Sequence, residues 1–74
     1  MFFKKSRKKI INIDGNINNE VVIKCTLENL IEVSKVKVDL NKKQIIVSYD
    51  GVIDNILLTE KIEKLGLIVT GIKE

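Results

Sequence analysis

The residues of this chain that could do chemistry are few, and the first is a single cysteine, Cys25. The sequence contains no histidine and no second cysteine, so one copy of the chain cannot bring two soft ligands together around a metal ion. It also lacks a carboxylate cluster at ligand spacing, a recognisable nucleophile–base pair and a glycine-rich phosphate cradle. We therefore predict a protein that is not an enzyme, holds no cofactor and has no metal ligands of its own.

Cys25 itself has two interpretations. At 3.6 residues per turn, a helix would place it about 200° from Ile23, on the face away from the apolar stripe and near Val21. A partly exposed thiol there would crosslink, or would share a metal ion with the thiol of a partner. The alternative is an inert small hydrophobe, because thiol reactivity requires an electropositive setting.

The composition also bears on location. Small secreted domains usually carry several disulfides, and a lone cysteine cannot form one within the chain. No apolar run approaches the ~20 residues that span a bilayer, and the N-terminus lacks the apolar core of a secretory signal. A cytoplasmic protein is the expectation.

Basic residues are concentrated at the start of the chain. Five lie in the first nine residues: Lys4, Lys5, Arg7, Lys8 and Lys9. The remaining 8 basic and 10 acidic residues leave the rest a net charge of −2, so the basicity is assigned to a tail over residues 1–8 rather than to a folded face. These five cations predict weak contact with an anionic membrane, with Phe2 and Phe3 at the interface; a frayed, solubilising terminus is the alternative. Specific nucleic-acid binding is not expected, because base stacking needs exposed aromatics and Tyr49 is assigned to the core side.

The elements that must position these residues follow from the pattern. Residues 11–19 resemble residues 47–55: each stretch alternates apolar with polar residues, reaches Asp-Gly and then enters helical spacing. Asn18 and Asp54 are the predicted helix N-caps. A hairpin at residues 40–43 joins two further strands, with Asn41 at the position of positive φ, and Gly66 is the predicted cap at the end of the second helix.

The resulting order is strand, helix, strand, strand, helix, strand. With right-handed crossovers, this order gives an α+β ferredoxin-like βαββαβ domain over residues 9–73: a four-stranded antiparallel sheet with two helices on one face. The predicted core is Ile11, Ile13, Ile23, Leu27, Leu30, Val36, Val38, Ile45, Val47, Leu58, Ile62, Leu65 and Val69.

Three stretches, residues 33–40, 45–50 and 62–67, carry a family resemblance. The sequences Val-Ser-Lys-Val-Lys-Val-Asp-Leu, Ile-Ile-Val-Ser-Tyr-Asp and Ile-Glu-Lys-Leu-Gly-Leu resemble the second half of the heavy-metal-associated (HMA) domain of copper chaperones. The resemblance covers roughly residues 8–72 and implies the same fold. In that family the first strand ends in Gly-Met-x-Cys-x-x-Cys, whose two thiolates bind Cu(I) or another soft metal.

This chain departs from the family at the metal loop, where Gly15 begins the sequence Gly-Asn-Ile-Asn-Asn-Glu-Val. Counting from Gly15 places the cysteine positions at Asn18 and Val21, whereas counting back from the helix stripe places them at Asn16 and Asn19. Both thiols are absent in either register. Leu67 stands where the family often has tyrosine.

The resemblance therefore implies a degenerate HMA-like domain that acts by protein–protein contact in or beside a metal-handling system. Its implied partners are a metal-transport ATPase or a related HMA domain. The expected contact residues are Ile17, Val21, Cys25 and Leu67. Two alternatives stay open: a dimer that binds metal between two copies of Cys25, and a small-molecule regulatory module of the ACT type, which shares this order of elements.

Overall fold

The computed structural model of the chain describes residues 7–17 and 19–74. The strands are β1 (Arg7–Asp14), β2 (Val33–Asp39), β3 (Gln44–Tyr49) and β4 (Ile68–Lys73), and the helices are α1 (Glu20–Glu28) and α2 (Asn55–Glu63). They form one sheet in the order β2-β3-β1-β4, in which every neighbouring pair is antiparallel. Both helices contribute to a single core on one face of this sheet, so the predicted ferredoxin-like fold is confirmed. No helix in the described part of the chain is long and apolar enough to cross a membrane.

The core follows the alternation of the strands. Of the predicted core, nine side chains are buried: Ile11, Ile13, Ile23, Leu27, Val36, Ile45, Val47, Leu58 and Ile62. The other four, Leu30, Val38, Leu65 and Val69, are half-buried and pack against this cluster. The structure adds Val33, Tyr49, Ile53 and Leu67 to the buried set. Tyr49 thus faces the core, as the alternation of its strand predicts.

The helices begin at their caps. Asp54 caps α2 as predicted, because its Oδ1 accepts a hydrogen bond from the backbone N–H of Ile56 at 2.9 Å. For α1 the cap is Asn19, whose Oδ1 accepts from Val22 N at 3.3 Å. The predicted cap, Asn18, lies outside the described residues, and the helix starts one residue later than that prediction requires.

Two turns differ from the sequence prediction. In the β2–β3 hairpin the residue with positive φ is Lys43, at 51°, and not Asn41. Asp39 explains the difference, since its Oδ1 accepts from the N–H groups of both Asn41 and Lys42 and holds the first part of the turn in place. Helix α2 is capped by Lys64, and Gly66 ends the following turn with φ of 89°.

The antiparallel arrangement gives the domain two distinct ends. The loop end is formed by the β1–α1 loop (residues 15–19), the β2–β3 hairpin (40–43) and the α2–β4 turn (64–67). The opposite end contains the starts of β1 and β2 and the end of β3. Strand β1 begins at Arg7, so Arg7 and Lys8, which the sequence assigned to a tail, belong to the sheet. Residues 1–6 of the predicted tail lie outside the described residues.

Candidate protein-contact site at the loop end

The β1–α1 loop leaves the sheet through a turn that requires glycine. Gly15 has φ of 114°, and its N–H donates to Oδ1 of Asp14 at 2.9 Å. The same Asp14 oxygen lies 3.9 Å from Nζ of Lys43. The N–H of Ile13 donates to the Lys43 carbonyl at 3.0 Å, so the hairpin and the loop are held against each other.

A cleft opens where this loop meets the end of α2. It has a volume of about 130 Å³ and is lined by Asn16, Ile17, Asn19, Val22, Ile23, Leu65 and Leu67. Leu67, expected in the contact surface, is only 4% exposed, so it forms part of the cleft wall rather than the outer surface. A second, more open depression is lined by Gly15, Asn16, Ile17, Leu40 and Lys43. Ile17 therefore lies between two concave surfaces.

The expected contact residues on α1 are accessible. Val21 is 63% exposed, and Cys25, one helical turn further on, is also exposed. Ile17 is half-buried. The burial of Ile23 and Leu27 on the opposite side of the helix explains why Val21 and Cys25 face solvent.

Sequence reasoning missed three apolar residues of this end. Val22, Leu40 and Ile68 are 43%, 53% and 59% exposed. Leu40 continues the apolar alternation of β2 just past the end of that strand. Ile68 pairs with Asp14 on the face of the sheet that the helices do not cover, whereas its neighbour Val69 packs against the core. We define the loop-end surface as Ile17, Val21, Val22, Leu40 and Ile68.

The donors of the loop do not suit a soft metal ion. Asn16 and Asn19 carry amides and Val21 an alkyl group, and the Asn19 side chain is engaged in capping α1. Among the described residues, no three His, Cys, Asp or Glu side chains are grouped closely enough to hold a metal ion. Soft ions select thiolate and thioether ligands, which this loop lacks.

A buried charged side chain, Lys9, lies at the end of the domain opposite the loop end. Lys9 is only 4% exposed, and its Nζ donates to the Ile53 carbonyl oxygen at 2.9 Å and to Oδ1 of Asn55. The same ammonium lies 3.9 Å from Oε1 of Glu74, an oxygen that also accepts from the Tyr49 hydroxyl at 3.0 Å. The prediction that Lys9 contacts a membrane is therefore wrong, because its charge is turned into the protein. The pKa of Tyr49 is raised by burial first, then by its hydrogen bond to Glu74 and that residue's negative charge, and Arg7 opposes the shift.

Comparison with known proteins finds the same fold in solved structures. No protein-family model and no curated protein matches the sequence. Among solved structures, the CopZ metallochaperone is similar with a TM-score of 0.78 and 24% identity, over 86% of this chain and 100% of that one. The yeast copper transporter domain Ccc2a, solved in its apo and Cu(I)-loaded states, matches with a TM-score of 0.78 and 24% identity, over 92% of this chain and 96% of that one. A protein studied for crosstalk between Cu(I) and Zn(II) homeostasis matches with a TM-score of 0.71 and 20% identity, over 85% of this chain and 94% of that one.

Proposed function

We propose that this chain is an HMA-like domain that has lost its own metal ligands and acts by protein contact at the loop end, in or beside a copper-handling system. One observation carries the proposal: the chain has the fold of CopZ and the Ccc2a domain, yet its β1–α1 loop presents amides. A domain that keeps the fold but lacks soft ligands is expected if its function is to contact a partner protein and not to bind a metal ion.

The loop-end surface supports this proposal. Val21, Val22, Leu40 and Ile68 expose apolar area at the loop end, where Val22 lines the cleft and Leu40 lines the second depression. Exposed apolar patches rimmed by polar residues commonly mark contact sites. The partner we infer is a related HMA domain or a metal-transport ATPase that carries one, in the cytoplasm. The interaction is non-enzymatic, because the loop end offers shape and apolar area rather than a nucleophile with its base.

The metal half of the proposal is tested by titrating Cu(I) into the reduced protein in the presence of a competing chelator. We expect no stoichiometric binding by the wild-type chain or by Cys25→Ser, since one thiol in a monomer cannot outcompete a chelator for a soft ion. A one-to-one complex of high affinity with a monomer of the wild-type chain would overturn the proposal.

The contact half is tested by nuclear magnetic resonance titration with HMA domains from the same organism. Val21→Asp should abolish the shift changes, because it places a charge in an apolar contact. Ile31→Asp is the matched control, since Ile31 is 98% exposed and follows α1 at the opposite end of the domain. Equal effects of the two substitutions, or shift changes mapping away from residues 15–22, would contradict a loop-end contact.

Two alternative functions predict different experimental results. A dimer that binds metal through two copies of Cys25 is supported only by the exposure of that thiol, and Cys25→Ser would abolish both dimer and metal binding. An ACT-type module would show a thermal shift with an amino acid. The similarity to the CopZ metallochaperone and the Ccc2a domain favours the HMA-like proposal.

A further inference from the structure

The face of the sheet that the helices leave uncovered carries four exposed lysines: Lys8, Lys35, Lys37 and Lys73. Each belongs to a strand whose alternate residues face the core, such as the buried Lys9 beside Lys8 and Val36 between Lys35 and Lys37. Because successive side chains of a strand point to opposite faces, all four lysines lie on the open side. The prediction that the basic charge is confined to a tail is thus wrong.

The strand register brings these lysines into two adjacent rows. In the first row, Lys37 pairs with Ile46, Ile46 with Ile10, and Ile10 with Lys73. In the second row, Lys35 and Lys8 flank Ser48. The result is a surface with cations at its sides and two half-buried isoleucines at its centre.

The dimensions of this surface follow from sheet geometry. Neighbouring strands lie about 4.8 Å apart, so the backbones of Lys37 and Lys73 are separated by about 15 Å across the sheet. Residues two apart on one strand are about 7 Å apart, which is the spacing between the two rows. Four positive charges therefore share a flat area comparable to a few lipid headgroups.

No acidic side chain interrupts the two rows. The acids that the strands place on this side, Asp14 and Asp39, lie at the loop-end edge, where Asp14 accepts one backbone hydrogen bond and Asp39 accepts two. Among residues 7–17 and 19–74, the ion pairs are Lys9–Glu74 and Lys43–Asp14, so none of the four lysines has a carboxylate partner within 4 Å. Their charge is available to an external anion.

We propose that this open face, formed by Lys8, Lys35, Lys37 and Lys73 around Ile10 and Ile46, binds the surface of an anionic membrane. Lysine is a flexible point charge that suits a fluid array of phosphate and carboxylate groups, and the two isoleucines suit the apolar edge of the headgroup layer. Single-stranded nucleic acid is disfavoured because it stacks on exposed aromatics, and the tyrosine of the sheet is buried on the other face. The proposal uses a different surface from the loop end and does not rest on the proposed function.

Binding in this orientation leaves the other surfaces free. The helices lie on the far side of the sheet, and the loop end lies at its edge. A domain held flat on the membrane would therefore keep Ile17, Val21 and Val22 of the loop-end surface accessible to a membrane-associated partner, whereas Ile68 would face the membrane.

The test is partition of the full chain between buffer and vesicles of phosphatidylserine with phosphatidylcholine, measured by co-sedimentation. Each lysine near an anionic leaflet contributes about five-fold to binding, so Lys37→Gln with Lys73→Gln should reduce the partition coefficient about 30-fold. Lys24→Gln with Lys64→Gln is the matched control, since it removes the same charge from the helical side. We expect this control to change binding by less than about three-fold, because its charges lie about a Debye length from the membrane.

Four results would overturn the proposal, three of them from the vesicle experiment. The first is equally strong binding to vesicles of phosphatidylcholine alone. The second is an equal loss of vesicle binding in the open-face double variant and in its control, Lys24→Gln with Lys64→Gln. The third is a loss of vesicle binding in the double variant Lys4→Gln with Lys5→Gln, while the double variant Lys37→Gln with Lys73→Gln binds like wild type. That result would assign the binding to the N-terminal segment. A parallel titration with single-stranded and duplex DNA separates the ligand classes, and lysine-dependent DNA binding without vesicle binding would also overturn it. Circular dichroism of each variant verifies that the fold is unchanged.

Discussion

The ammonium group of Lys9 lies 5.4 Å from the centroid of the Tyr49 ring, and both side chains are buried. Lys9 starts from an exposed strand end, yet its stem runs along the core face and its charge is met by the Ile53 carbonyl, Asn55 and Glu74. This arrangement joins the start of β1, the start of α2 and the residue after β4 at one point. These contacts lie at the end of the domain opposite the candidate contact site.

The first prediction concerns that network. Lys9→Met should lower the free energy of unfolding by about 1–3 kcal/mol, because the buried Ile53 carbonyl loses its charged donor. Lys8→Met is the matched control: Lys8 is exposed on the open face of the sheet and should change stability by no more than about 0.5 kcal/mol. Urea denaturation of both variants makes the comparison. A Lys9→Met variant with a nearly unchanged free energy of unfolding would show that the network does not stabilise the fold.

The second prediction is a loss of stability in alkali. The pKa of Tyr49 in the folded protein is raised above its ordinary value of 10.0, chiefly by burial and then by Glu74, against the opposing effect of Arg7. The folded state then keeps a proton that the unfolded state releases, so this contribution to stability is complete below pH 10 and is lost as the pH rises through the raised pKa.

The chain allows this ionisation to be observed directly. It has one tyrosine and no tryptophan, so the ultraviolet absorbance of tyrosinate reports Tyr49 alone. We expect its titration midpoint to move down to the ordinary value when the protein is unfolded in urea. Tyr49→Phe should lack the tyrosine part of the alkaline fall in stability while keeping the part that lysines contribute. Identical midpoints in folded and unfolded protein would contradict the prediction.

A third prediction compares two glycines with positive φ. Gly15 has φ of 114°, and a Cβ added there would lie 3.4 Å from Cδ2 of Leu67. Gly51 has φ of 78°, and a Cβ there would meet nothing within 4 Å. Both alanine substitutions incur the left-handed penalty of about 1–2 kcal/mol. Gly15→Ala should lower the unfolding temperature more than Gly51→Ala does, because the φ of Gly15 lies further from the allowed region and Leu67 must move. The reverse order would count against the loop geometry.

A fourth prediction concerns the helix caps. Asp54→Ala and Asn19→Ala should each destabilise the protein by about 1 kcal/mol, since each leaves a backbone N–H of the first turn without its acceptor. Asn41→Ala serves as the control, because the Asn41 side chain makes no hydrogen bond within the described part of the chain. Unfolding midpoints that fail to separate the caps from the control would show that these bonds do not stabilise the helices.

The fifth prediction restores the missing ligands. Asn16→Cys together with Asn19→Cys places two thiols on the β1–α1 loop, in one of the two registers that the sequence allows. If the scaffold of the loop is intact, this variant should bind one Cu(I) per monomer against a chelator that the wild-type chain does not compete with. The loss of the Asn19 cap should lower its stability by about 1 kcal/mol in the absence of metal. Failure of the double variant to bind copper would show that the register or the loop geometry differs.

Much of the fold could be predicted because its signals are local. Alternation identified the strands, and the spacing of Ile23 with Leu27 and of Leu58 with Ile62 identified the buried helix faces. The errors fall where a side chain outside the local pattern decided the outcome. Asp39 occupies the hairpin N–H groups and shifts positive φ to Lys43, and Asn19 replaces the predicted cap of α1.

The candidate contact site was predicted less completely. Val21 and Cys25 are exposed as the helical wheel predicts. Leu67 was expected at the surface, but it is buried beneath the loop, because Gly15 allows the loop to approach it closely. Leu40 carries an apolar signal that alone would place it in the core, and only its position past the end of β2 exposes it. Ile68 is exposed because its pairing with Asp14 places it on the face of the sheet that the helices do not cover.

The sequence by itself determined the order of the elements, the apolar faces and the presence of one thiol, since composition and periodicity are properties of the chain. The tertiary structure alone decided which distant residues became neighbours. Pairing between β2, β3, β1 and β4 brought four lysines from three parts of the chain together, and the packing of the chain brought Ile53, Asn55 and Glu74 to the ammonium group of Lys9. The physical reason is that period-two alternation assigns a side chain to a face, whereas its neighbours across the sheet are set by the hydrogen-bond register between strands far apart in sequence.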